Sequence, residues 1–288
     1  MKTRLLIIGA EGFIGSHLSR AASSRFEVYR AGLLSDGLRV DVTDAAGLRA
    51  AFDRVRPDAV ALLAAVSDID ACERDPRLAE AVNFVGAERT ACECQRAGAR
   101  LIYFSTAAVF DGTRHGYTEN DPPTPMNVYG QTKARAESAI TGILPSAVII
   151  RLALALGFGA PGTNALLTKL AESFRGGRAV TVPEYEYRNP IDAATLSEFT
   201  LELASCPGAG GIWHIGATES LSRFEIVARL AGRMGYPSYL VVPQREPIPG
   251  RAPRGLDHFL LTSKIKGFCR TPVPTSNEVI ERCLNGTS

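Results

Sequence analysis

The stretch NVYGQTKARAE, Asn127 to Glu137, sets a tyrosine at 129 and a lysine at 133. On a helix, side chains four residues apart stand one above the other on the same face. A phenol ordinarily titrates at about pH 10, and a cation held beneath it brings proton exchange toward neutrality. Tyr129 and Lys133 so placed can act on one bound molecule. The same pair also fits an amphipathic surface helix, so the rest of the chain has to decide between the two.

A second motif, GAEGFIGS from Gly9 to Ser16, follows the apolar run Leu5–Ile8. In the spacing Gly9-x-x-Gly12-x-x-Gly15, Gly9 permits a tight strand-to-helix turn. Gly12 lets the backbone approach a diphosphate at the positive helix N-terminus, and Gly15 lets the helix pack closely on the sheet. A glycine-rich turn without a ligand has the same spacing, but the strand before it and the amphipathic helix after it favour a dinucleotide cradle. An acid closing the second strand would bind the ribose of NAD, and an arginine would accept the extra phosphate of NADP. That strand ends EVYRAGLL, no acid follows until Asp36, and Arg30 stands at about the right place, which leans to NADP. Asp41, in RVDVTD, either receives the adenine amino group or opens the next helix.

These side chains need a frame. Arg4–Ile8, Phe26–Arg30, Ala59–Ala64, Leu101–Ser105 and Ala147–Arg151 read as strands. Between them Gly12–Ser23, Asp44–Val55, a long Pro76–Ala97 and the Tyr129 stretch read as helices. Asp75, Pro76 and Gly98 supply the start and stop of the long one. Such alternation with apolar strands means an α/β fold, a doubly wound parallel sheet covered on both faces. After Arg151 the pattern shifts to short pieces: a helix near Asn164–Phe174, strands at Ala179–Val182 and Ile212–Ile215, and a helix Arg223–Met234 opened by a Ser222/Glu225 capping box. They read as a small C-terminal substrate-binding lobe packed on the end of the sheet. The expected division is 1–155 for the dinucleotide domain, with about 178–215 returning to the sheet, and about 156–177 and 216–288 for the lobe.

The chain has 288 residues and a net charge of +2, so no nucleic acid or other polyanion is implied as a partner. Its apolar runs are too short to cross a bilayer, and its first residues lack a signal-peptide core. Six scattered cysteines and four histidines, His17, His115, His214 and His258, make no metal-ligand pattern. Reduced thiols in a cytoplasmic protein are expected.

With the glycine turn, STAAVFDG and the Tyr129/Lys133 helix in this order, the chain resembles the extended short-chain dehydrogenase/reductases. More closely it is similar to the dTDP-4-dehydrorhamnose reductase branch. The stretches AAVSDIDACERDPRLAEAVN, ARLIYFSTAAVFDGT, YRNPIDAATLSEF, GIWHIGATESLSRFEIVARLAG and PRGLDHFLLTSKIKGF carry the likeness along nearly the whole chain. The resemblance implies that Tyr129 protonates a carbonyl oxygen during hydride delivery, that Thr106 hydrogen-bonds the same oxygen, and that Lys133 lowers the phenol pKa and holds the nicotinamide ribose. It implies cofactor contacts at Gly9, Gly12, Phe13, Ile14 and Gly15, at Arg30, Asp41 and Val42, and at Ala64 and Ala65. Substrate contacts are expected at Ala107, Asn164, Arg188, Arg251 and Arg254, the last two as a clamp on a sugar-nucleotide diphosphate. Solvated loop arginines, and for Asn164 a helix cap, are the plain alternatives.

The departures bear on the substrate. The branch usually has Asp and Tyr after the threonine, where this chain has Ala107 and Ala108. Its Asn-Ala-Ala-Ala and Tyr-Thr are replaced by Leu62 to Ala65 and by Val66-Ser67. The resemblance points to reduction of a keto group on a nucleotide-linked deoxysugar with NADP or NAD, and leaves room for a homodimer. Epimerisation with retained NAD is a second expectation. A cofactor-binding regulatory subunit, like that of methionine adenosyltransferase, is a third. Dehydration is excluded, because neither alanine can exchange a proton.

Overall fold

A computed structural model describes residues 2–34, 37–160 and 163–285. The strands β1 (Arg4–Ile8), β2 (Glu27–Gly32), β3 (Leu38–Arg39), β4 (Ala59–Leu62), β5 (Arg100–Phe104) and β6 (Val148–Leu152), with Gly211–Ile215, form one sheet. Its order is Gly211–Ile215, β6, β5, β4, β1, β2, β3, and every pairing is parallel. Alternation along β1 divides the core between the two faces. Leu5 and Ile7 pack with Leu18 and Phe199 on one side, and Leu6 and Ile8 with Phe52 and Ile140 on the other. Apolar side chains on both faces are what a parallel sheet with two helical layers requires. The connections leave β1 and β4 in opposite directions, so a crevice opens at the C-terminal ends of these two strands.

Most elements lie where the sequence puts them. The helix α1 spans Phe13–Ala22 and α2 spans Ala45–Val55. Asp44 caps α2, its Oδ1 accepting from Ala46 N at 3.0 Å. The Ser222/Glu225 capping box is formed in full. Two differences matter for the site. The strand β2 runs on to Gly32, two residues past Arg30. The expected long helix is interrupted: α-helical turns at Pro76–Ala79 and Gly86–Ala97 flank a π-helical Glu80–Val85. Such a widened turn often marks a functional place, and here it carries the buried Asn83.

The later chain departs further from expectation. Of the segment 178–215, only Gly211–Ile215 joins the central sheet. Val180–Pro183 pairs with Val241–Gln244, Tyr187–Arg188 with Leu221–Ser222 and Asp257–His258, and Pro190–Asp192 with Leu154–Leu156. The helix Ala193–Ser205 follows Pro190–Asp192 and packs against α1 over the sheet, and it contributes Leu196, Phe199, Leu201 and Leu203 to the large core. The lobe is therefore stitched from short strands rather than built on a sheet of its own. Among the described residues no helix is long and apolar enough to cross a membrane.

Candidate active site

The glycine turn has the geometry its spacing implies. Gly9 adopts φ +90°, in the left-handed region, and a Cβ there would lie 2.7 Å from Ala64 N. A Cβ on Gly15 would lie 2.1 Å from the Gly9 carbonyl oxygen. Gly9 and Ala10 both donate to the Ala31 carbonyl, at 2.8 and 3.1 Å, and Leu63 and Ala64 both donate to that of Ile8, at 2.9 and 3.1 Å. The turn is thereby pulled against β2 on one side and the end of β4 on the other. No side chain caps α1 and no acid stands in its first turn, so the N-terminal donors around half-buried Phe13 and Ile14 are available to an anion. Ala64 and Ala65 are half-buried at the mouth of the crevice. Val42 is buried, and its side chain fills the space a Cβ on Gly86 would need.

Tyr129 and Lys133 lie on the helix Val128–Ile143, which Asn127 opens by accepting from Gly130 N at 2.8 Å. Gly130, which sequence reasoning passed over, lets this helix close on the Thr106 turn. A Cβ there would stand 2.1 Å from the Ala108 carbonyl oxygen. Thr106 begins a short 3₁₀ turn at the end of β5, its Oγ1 accepting from Ala108 N at 3.1 Å. Burial raises the Tyr129 phenol to about 12, with the Thr106 side chain pulling it down. Burial lowers the Lys133 ammonium to about 7, against the charge of Glu137. Lys133 Nζ donates to the Phe104 carbonyl at 2.6 Å and lies 4.1 Å from the centre of the Tyr103 ring. Glu137, one turn on, is held by Ser105 and by the buried Arg151, whose Nη2 donates to it at 2.5 Å. With its partner so close, the buried arginine's charge is offset before it reaches Lys133.

Asn83 braces this arrangement from the π turn. Its Oδ1 accepts from Val66 N at 2.8 Å, and its Nδ2 donates to Val66 O at 3.0 Å and to Thr132 Oγ1 at 3.3 Å. It ties the segment after β4 to the Tyr129 helix. The only signal in the sequence was the asparagine itself, in the otherwise apolar run Ala81–Val85.

The other expected contacts separate into groups. Arg30 is exposed inside β2, with Ile7 as its Cα partner, rather than at the strand's end. Asp41 accepts from Thr43 N and Oγ1 at 2.8 and 2.7 Å, which lowers its pKa and builds the turn leading to α2. Asn164 lies before its helix, which begins at Leu166 with Ala165 at the cap position; its Oδ1 accepts from Lys169 Nζ at 2.5 Å. Neither Ala107 nor Arg188 reaches an open surface, contrary to expectation. Ala107 packs with Val109, Phe110, Tyr117 and Leu260. Arg188 is buried because its guanidinium holds the backbone of 255–256, donating to Gly255 O at 3.1 Å and Leu256 O at 3.3 Å. Burial lowers its pKa to about 10.

Arg251 and Arg254 do stand together. Arg251 Nη1 donates to Glu186 Oε1 at 3.0 Å, and Arg223 and Arg188 share the second oxygen of that buried carboxylate, each at 3.4 Å. Arg254 makes a two-pronged pair with Asp70, which lowers that carboxyl to about 2. Arg223, Arg251 and Arg254 are half-buried beside these two acids, three guanidiniums against two carboxylates, a balance suited to an anion such as a diphosphate. Neither Asp70 nor Glu186 was singled out in the sequence. Among the described residues no group of three His, Cys, Asp or Glu is placed to hold a metal ion.

Comparison with known proteins bears on the family and the fold. A family model described as RmlD substrate binding domain matches residues 3–288. The dTDP-4-dehydrorhamnose reductase of Mycobacterium tuberculosis is 34% identical over 77% of this chain and 72% of its own. Methionine adenosyltransferase 2 subunit beta of Xenopus tropicalis is 27% identical over 91% of this chain and 81% of its own. The crystal structure of dTDP-4-dehydrorhamnose reductase from Bacillus anthracis in complex with NADP superposes over 100% of both chains, with a TM-score of 0.92 and 25% identity. The likeness first read from scattered motifs thus extends along the whole molecule, and the chain belongs to the RmlD substrate binding domain family.

Proposed function

We propose that this protein is an oxidoreductase that reduces a keto group on a nucleotide-linked deoxysugar with NADPH or NADH. What supports the reading is that Tyr129 and Lys133 stand one turn apart on the helix that closes on Thr106, at the same C-terminal end of the parallel sheet as the glycine turn. A dinucleotide fits the residues present: Gly9 and Gly15 hold space that any side chain would fill, and the uncapped end of α1 offers donors to its diphosphate. When bound, the reduced nicotinamide supplies hydride to the carbonyl carbon. Tyr129 donates its phenolic proton to the carbonyl oxygen, which Thr106 Oγ1 also steadies. Burial keeps the phenol protonated and ready to give, and the Thr106 side chain pulls its pKa the other way; a positive charge on Lys133, one turn along the helix, would favour the phenolate as the proton leaves. Arg251 and Arg254 face the diphosphate of the sugar nucleotide. All six cysteines are free thiols, in keeping with a cytoplasmic location.

The likeness to a methionine adenosyltransferase beta subunit supports a second reading, a cofactor-binding subunit without turnover. One assay separates them. Purified protein is mixed with dTDP-4-dehydrorhamnose and either reduced dinucleotide, and nicotinamide absorbance is followed. Consumption of cofactor with formation of dTDP-rhamnose is expected. Tight cofactor binding with no turnover of any dTDP- or UDP-linked keto sugar would favour the subunit reading.

A further inference from the structure

We infer that Glu11, the acid inside the glycine turn, selects the adenosine ribose of the cofactor, so that NADH is held more tightly than NADPH. This rests on the dinucleotide reading above and adds which dinucleotide the site prefers. The two hydrogen bonds from Gly9 and Ala10 to the Ala31 carbonyl draw the turn across the end of β2. Glu11 therefore lies directly over Gly32, the last residue of that strand. A Cβ on Gly32 would stand 1.7 Å from Glu11 Oε2 and 2.1 Å from Oε1, so only glycine leaves room for the carboxylate.

The two oxygens are not equivalent. Oε1 accepts from Leu34 N at 3.3 Å, just beyond the strand. Oε2 is shielded from solvent and has no hydrogen-bond partner among the described residues. A shielded carboxylate oxygen without a donor is costly. A ribose hydroxyl is a donor of the kind it lacks, and the carboxylate has to turn about its last bonds to offer that oxygen to a ligand, since no solvent reaches it as the turn stands. The end of the second strand is where folds of this topology place that ribose, and an acid there accepts from its 2′-hydroxyl. In this chain the acid comes from the turn after the first strand instead. A 2′-phosphate puts a charge of about −1.5 to −2 where the hydroxyl would have stood. Beside Glu11 it meets like charge in a partly dry site, which opposes binding. Arg30 lies two residues earlier in β2, on the same side of the strand as Gly32, and the measurement weighs its attraction for a phosphate against the repulsion by Glu11.

The test is a fluorescence titration of NADH and of NADPH into the purified full-length protein, without sugar. The expected result is a Kd for NADH at least about tenfold below that for NADPH, the size of one hydrogen bond to a charged group. Glu11→Gln keeps the shape but loses the charge, and should bring the ratio of the two constants toward one. Gly32→Ala displaces the carboxylate and should move the ratio the same way, with melting curves confirming that both variants fold. A wild type that binds NADPH as tightly as NADH, or a ratio unchanged in Glu11→Gln, overturns the assignment while leaving the dinucleotide reading intact. Binding of neither dinucleotide overturns both.

Discussion

Asp70 and Arg254 stand 184 residues apart in the chain and share two hydrogen bonds, of 3.0 and 2.7 Å. The same carboxylate accepts from Ala252 N at 3.0 Å. The loop 251–254 is thereby fastened to the helix Ile69–Arg74. Asp70→Asn removes the charge and one prong, so the loop should loosen and the KM for the sugar nucleotide should rise while kcat changes little. Its pKa of about 2 is depressed from the ordinary 3.8. A depressed carboxyl contributes stability above its unfolded pKa and loses it as pH falls toward the folded value. The variant should therefore lose less stability than wild type between about pH 4 and pH 2, by an amount kept modest because the pair is partly solvated. A fall in kcat at constant KM would speak against this role.

Tyr129→Phe should retain cofactor affinity and lose on the order of a hundred- to ten-thousand-fold in turnover, since only the proton donor is removed. Lys133→Met should weaken both cofactor binding and rate. Stopped-flow reduction and cofactor titration separate the two effects. Wild-type turnover in the phenylalanine variant would remove Tyr129 from the mechanism.

The pH dependence of stability offers an independent check on Lys133. Burial lowers its pKa to about 7 from 10.5. Between those values the unfolded chain keeps a proton that the folded one has released, so this lysine makes stability rise with pH. Below the folded value it is charged in both states and the whole cost of burying an ammonium is present. Cofactor-free Lys133→Met should therefore melt above wild type at about pH 6, with the gap closing as pH approaches 10.5. A gap of constant size across this range would contradict the shift.

Incubation with dTDP-glucose and NAD or NADP should yield no 4-keto-6-deoxy sugar. Dehydration needs an acid and a base beside the threonine, where Ala107 and Ala108 are both buried methyl groups. The next acid, Asp111, is already engaged: its Oδ1 accepts from Tyr117 at 2.6 Å and from the Thr113 hydroxyl at 2.9 Å. A dehydrated product in the mixture would show that another group supplies the proton.

What could be read in advance follows from how local each feature is. The glycine turn and the Tyr129/Lys133 pair were legible because a positive φ and a helical period write themselves into a few adjacent residues. Asp70, Glu186 and Asn83 were not, because each acts on a partner brought near only by the tertiary fold. Arg30 drew attention as a strand-end arginine, but β2 continues to Gly32, and the acid beside that end belongs to a different strand's turn. Short lobe strands such as Tyr187–Arg188 carry too few residues for any alternation to show. Ala193–Ser205 is buried on most of its surface, with Thr195, Ser197 and Thr200 inside beside its leucines, so it lacks the stripe by which surface helices are recognised.

Asn127 uses both ends of one amide: its oxygen opens the Tyr129 helix at Gly130 N, and its nitrogen donates to Pro253 O at 2.8 Å. The first turn of the Tyr129 helix and the loop proposed to meet the sugar nucleotide are thus pinned to the same three atoms. A ligand that props the loop outward also tugs at the start of the catalytic helix. On the proposed function, fit at the diphosphate and aim at the carbonyl would be one mechanical quantity, and a poorly matched sugar would be penalised twice by a single side chain.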